Sequence, residues 1–73
     1  MNIILYEKKA SGELEKLSER PWDEKFMQAL DAANYLLAGG KEYEMIEGRL
    51  NLDGNVFELL LTGVGGQEEG GLQ

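Results

Sequence analysis

Apolar side chains recur along this chain in two different rhythms. The opening segment, Asn2 to Lys8, is rich in Ile, Leu and Tyr and alternates loosely, which predicts a first strand. Lys9-Ala10-Ser11-Gly12 supplies turn chemistry, and Glu13 to Ser18 reads as a returning edge strand with Leu14 and Lys16 on one face. Leu14 and Leu17 stand at a helical rather than an alternating spacing, so a loose turn is the competing reading of that stretch.

From Pro21 the rhythm becomes helical. Trp22, Phe26, Ala29, Leu30, Ala33, Leu36 and Leu37 fall on one stripe at the period of about 3.6 residues, predicting a single amphipathic helix that reaches Leu37. Pro21 suits the first turn, Asp23 and Glu24 complement the helix dipole, and Gly39-Gly40 offer a left-handed residue to end it. On this stripe Trp22 is a core residue facing the sheet.

Beyond the glycines, Glu42 to Leu52 and Asn55 to Thr62 flank Asp53-Gly54, a pair favoured in two-residue type I′ hairpin turns. With Leu52 opposite Asn55, Leu50 meets Phe57, Gly48 meets Leu59 and Ile46 meets Leu61, so one face is apolar and is expected to cover the helix. Gly48 leaves room on that face for Trp22 or Phe26 to approach, or else marks a bulge. The opposite face pairs Arg49 with Glu58 and Asn51 with Val56. It also carries Tyr43, Met45 and Leu60, a mixture that predicts cover from a tail, a second subunit or a partner.

The expected fold is therefore α+β. It is a single small domain over residues 1–62, with an antiparallel or mixed sheet of three or four strands and one amphipathic helix packed on one face. This element order resembles that of β-grasp-like folds. From Gly63 to Gln73 the chain is glycine-rich with little to bury, and a flexible tail is expected there.

Size and charge sharpen this picture. A chain of 73 residues buries only about 60% of the surface its unfolded form exposes, and no cysteine is present to staple it. Cores of this size rarely supply more than about 3–5 kcal/mol, so self-association or a permanent partner is a reasonable expectation. Fourteen acidic and seven basic residues give a net charge of −7, which disfavours nucleic acid and anionic membranes and favours a basic protein partner. The apolar run at Ile3 to Tyr6 is too short for an export signal or a membrane span, so a cytoplasmic location is expected.

With neither histidine nor cysteine, the common nucleophile, imidazole and zinc templates fall away. Asp53-Gly54-Asn55 lacks the rest of a calcium loop and is accounted for by the turn, so no metal, cofactor or catalytic residue is assigned. The function expected is that of a non-catalytic, acidic protein-binding module, an adaptor or inhibitor. Its candidate partner-contact residues are Tyr43, Met45, Glu47, Arg49, Glu58 and Leu60. The alternatives are a structural homo-oligomer that buries Tyr43, Met45, Val56 and Leu60, and, more remotely, an enzyme using carboxylates alone.

Overall fold

The computed structural model describes residues 1–64. Its elements are β1 (Asn2–Lys8), β2 (Leu14–Pro21), α1 (Glu24–Ala32), β3 (Tyr35–Ala38), β4 (Lys41–Asn51) and β5 (Val56–Gly63). The strands form one five-stranded sheet in the order β2-β1-β5-β4-β3. β1 runs parallel to β5 and every other neighbouring pair is antiparallel. Strands account for 59% of the described residues, and the mixed sheet curls into a half-barrel.

This corrects the fold expected from the pattern, which had at most four strands beneath one long helix. The helix is nine residues long. Asp23 caps it, its carboxylate accepting from the Lys25 backbone N–H at 3.0 Å, and Pro21 belongs to β2, in register with Asn2. At the far end Ala33 turns to extended geometry (φ −95°, ψ 151°). Tyr35-Leu36-Leu37-Ala38 satisfies an alternating pattern as well as a helical one, and here it alternates: Leu36 and Ala38 pack on the core while Tyr35 and Leu37 are exposed.

Gly39 and Gly40 both hold positive φ, 59° and 80°, and join β3 to β4 as a two-residue turn with Ala38 opposite Lys41. The two glycine-bearing turns thus exchange roles. Asp53-Gly54 sits inside a longer loop between Asn51 and Val56, where Asn55 is the residue at positive φ (56°) and the Asn51 side chain accepts from the Gly54 N–H at 3.0 Å.

Two bulges re-aim side chains. In β2, Leu5 is opposite Ser18 and Tyr6 opposite Lys16, so Leu17 is the extra residue and its side chain packs on the core. This explains why Leu14 and Leu17 lack strand spacing. In β4, Arg49 faces Glu58 and Leu50 faces Phe57 as the hairpin register requires, but Ile46 is skipped: Glu47 faces Leu60 and Met45 faces Leu61. Every β4 side chain before the bulge therefore changes face.

The core comprises Ile3 and Leu5 of β1, Leu30 of α1, Tyr43 of β4 and Leu59 and Leu61 of β5, with Phe26, Met27, Met45 and Phe57 packed at its margin. β5, flanked by strands on both sides, has Glu58, Leu59, Leu60 and Leu61 all buried. Gly63 is paired within β5, and Val64 donates to the Glu42 carbonyl at 3.0 Å, so neither belongs to a tail. The remainder of the expected tail, residues 65–73, lies outside the described residues.

Candidate functional site

β4 is the longest strand, and its outer side is only partly covered. β3 pairs with Lys41 to Glu44 and ends there, so among the described residues Met45 to Asn51 have a neighbouring strand on the β5 side alone. Ile46, Glu47, Gly48, Arg49 and Leu50 are all exposed along this open edge, and the loop beyond adds Leu52 at 76% exposure. An unpaired edge presents a row of backbone donors and acceptors that another strand can complete.

The edge has two unlike faces. On one, Glu58 is buried and held by the half-buried Asn51 and the exposed Arg49. Asn51 donates to one carboxylate oxygen at 3.1 Å and the Arg49 Nε to the other at 2.5 Å. These bonds, first from Asn51 and then from Arg49, hold the Glu58 carboxyl below the ordinary glutamate value of 4.5 despite the opposing effect of burial. A carboxyl with a lowered folded pKa contributes stability that is fully present above the unfolded value and is lost as pH falls through the folded one. Glu58→Gln is accordingly expected to destabilise the fold by about 1.5 kcal/mol at pH 7, the low end for a hydrogen bond to a charged group because Arg49 is exposed to solvent. The gap to wild type should narrow below pH 4.5 and close under the folded pKa, as urea unfolding across pH 3–7 would show.

On the other face an aromatic corner flanks the edge. The Phe57 ring lies over Gly48, where a β-carbon would stand 2.6 Å from its Cζ. Trp22 meets Phe57 edge to face, ring centroids 6.2 Å apart. The residue that fills the space above Gly48 is thus its diagonal neighbour on β5, Phe57, with Trp22 behind it. Trp22 itself precedes the helix and remains 43% exposed rather than sinking into the core. Phe26 carries Arg20 over its ring at 4.1 Å.

The six candidate contact residues do not share one surface. Glu47 and Arg49 are exposed on the open edge, Glu58 lies beneath them, and Leu60 is buried at 5% on the same side of the sheet. Tyr43 and Met45 have crossed to the core face because of the bulge at Ile46, and Tyr43 is 3% exposed. The half-apolar back face expected of the hairpin is therefore not an open surface, since its large apolar members are enclosed within the chain. Ile46 and Leu50, expected inward, are 46% and 56% exposed. The bulge that the sequence allowed at Gly48 lies two residues earlier, at Ile46, and alternation counted through it assigns the wrong face.

A second feature escaped the pattern entirely. Glu7 ends the inward series Ile3, Leu5, Glu7 and is only 4% exposed, with the Lys9 ammonium 3.6 Å from its carboxylate. Lys9 also bridges to Glu15 at 2.9 Å, tying the turn between β1 and β2. Glu7, Lys9, Ile46 and Thr62 line an open depression of about 400 Å³ at that end of the sheet. Among the described residues no group of three or more acids converges into a cation site, and no helix is long and apolar enough to cross a membrane. Comparison with known protein families, with curated proteins and with solved structures returns no match.

Proposed function

We propose that this chain is a non-catalytic protein-binding module that engages its partner by strand addition to the open edge of β4. The observation that supports it is the mismatch in length between β3 and β4, which leaves Met45 to Asn51 with one neighbouring strand among the described residues. Main-chain hydrogen bonds supply affinity in this mode, and alternate side chains supply selectivity. Leu50 and Leu52 are the apolar anchors, exposed and carried by the edge and its loop, while Glu47 and Arg49 set the charge pattern that a partner strand must match. The net charge of −7 favours, among foreign proteins, those whose binding strand is basic.

The test is a pull-down from source-cell lysate with an N-terminal tag, comparing wild type with Leu50→Lys/Leu52→Lys. Both leucines are exposed, so the variant should keep its circular dichroism spectrum. Specific captured proteins should fall at least about tenfold, the effect of removing about 1.4 kcal/mol of contact. Capture of the same proteins at wild-type levels would place the binding surface elsewhere.

A further inference from the structure

We propose that the occupant of the β4 edge is a second copy of this chain, added antiparallel about a two-fold axis at Gly48. The proposal rests on the reading of that edge as a binding surface and names its partner. Across a two-fold axis perpendicular to the sheet, opposed residues share a face, so only a few registers are open to the segment between the bulge at Ile46 and the loop at Leu52.

With Gly48 opposite Gly48, Glu47 of each copy stands opposite Arg49 of the other, giving two unlike-charge pairs. Both residues lie on the face that already holds Glu58, and Arg49 uses only its Nε on Glu58, leaving the outer guanidinium N–H groups to reach across. Leu50 then lies across from Ile46, so two exposed apolar residues gain a neighbour. Moving the axis to Arg49 sets Arg49 against Arg49, and moving it to Glu47 sets Glu47 against Glu47. Like charges directly opposed are destabilising, and an axis at Leu50 sets Arg49 against the neutral Asn51, so the Gly48 register is the one that pairs unlike charges.

Gly48 itself helps, because two strands meet at the axis with no side chain between them and the Phe57 ring seated to one side. The bulge closes the pairing at one end and the loop at the other, so the contact is short and the association weak. Long-range repulsion between copies of net charge −7 is screened at about 0.15 M salt, which sets the condition for measurement.

Sedimentation velocity from micromolar to about 1 mM should show wild type moving from monomer to dimer. Glu47→Arg, a change at an exposed position that sets arginine against arginine twice, should weaken dimerisation at least tenfold with the fold intact. Mixing Glu47→Arg with Arg49→Glu should restore dimers as a heterodimer. If Arg49→Glu does not fold beside Glu58, contacts between the Gly48 α-protons of labelled and unlabelled wild-type copies, read by isotope-filtered NMR, provide the second arm. A wild type that stays monomeric at about 1 mM, or a dimer indifferent to Glu47→Arg, overturns self-pairing. The leucine variant separates the two readings: a monomeric wild type that still captures another protein through Leu50 and Leu52 leaves the module standing. Loss of neither capture nor dimer in that variant removes the edge from both.

Discussion

Leu61→Ala is expected to leave most molecules unfolded or close to it at 25 °C. Leu61 has no exposed surface and lies in β5, the strand joined to β1 on one side and β4 on the other. Its side chain meets the layer formed by Ile3, Leu5, Leu30, Tyr43 and Leu59. Truncating a buried leucine costs about 2–5 kcal/mol, the lost transfer energy plus the cavity left behind. A domain of this size holds only about 3–5 kcal/mol in reserve and has no disulfide to add to it. The expected readout is a urea midpoint near zero and collapsed amide dispersion in the proton–nitrogen NMR spectrum. Leu52→Ala, at a side chain 76% exposed, is the matched control and should move the midpoint by no more than about 0.5 kcal/mol equivalent. Equal midpoints for the two variants would mean that β5 is not the central strand.

Gly48→Ala is the second large effect, and its sign runs against the ordinary rule. Replacing glycine by alanine inside a strand usually gains about 0.5–1 kcal/mol by restricting the unfolded chain. Here the new methyl would lie 2.6 Å from Cζ and 3.2 Å from Cε1 of Phe57. The ring has little freedom to retreat, because Trp22 stands against it edge-on and Ile3 is its neighbour on β1. Overpacking of this kind costs about 1–3 kcal/mol, enough to outweigh the gain. The variant should therefore be less stable, and Trp22 fluorescence should shift as the aromatic corner reorganises. In a Phe57→Leu background the same substitution should become neutral or stabilising, giving a coupling energy above about 1 kcal/mol in the double-mutant cycle. Additive single effects would mean that Phe57 and Gly48 do not touch.

Both variants probe features that differ in how far they could be read from the chain. The pairing of Leu50 with Phe57, Gly48 with Leu59, Arg49 with Glu58 and Asn51 with Val56 followed from alternation on either side of the Asp53-Gly54 turn, and it is the observed register. It held even though the turn itself is longer than expected, because lengthening a loop symmetrically leaves the ladder in phase. The placement of Tyr43 and Met45 failed for the complementary reason. One extra residue, Ile46, inverts every side chain before it, and the backbone at Ile46 carries no local mark of being skipped.

The candidate site was legible in the same uneven way. Of the six residues named for a partner contact, Arg49 bonds Glu58 and shares a face with Glu47 and Leu60, whereas Tyr43 and Met45 turn to the core. That the strand beneath them has an open side was not legible, since it depends on how far β3 extends. Leu36 and Leu37 fit a helical stripe as well as a strand, and Gly39-Gly40 can end a helix or make a two-residue hairpin turn. The same letters satisfy both structures locally. What separates them is the partner: as a strand, Tyr35–Ala38 completes hydrogen bonds along the first residues of β4 and brings Leu36 and Ala38 onto the core.

Taken by itself, the sequence determined what short-range physics controls. It specified the first strand, the register of the second hairpin from Gly48 to Asn51, the acidic composition and the lack of imidazole and thiol side chains, and it marked a helix at Pro21 that in the structure begins three residues later, at Glu24. Tertiary structure alone decided where the helix stops, that β1 runs parallel to β5, which β4 residues face inward and which edge stays open. Those outcomes depend on contacts between residues far apart in the chain, whose energies outweigh the small local differences between helix and strand and leave no trace in the pattern of neighbouring residues.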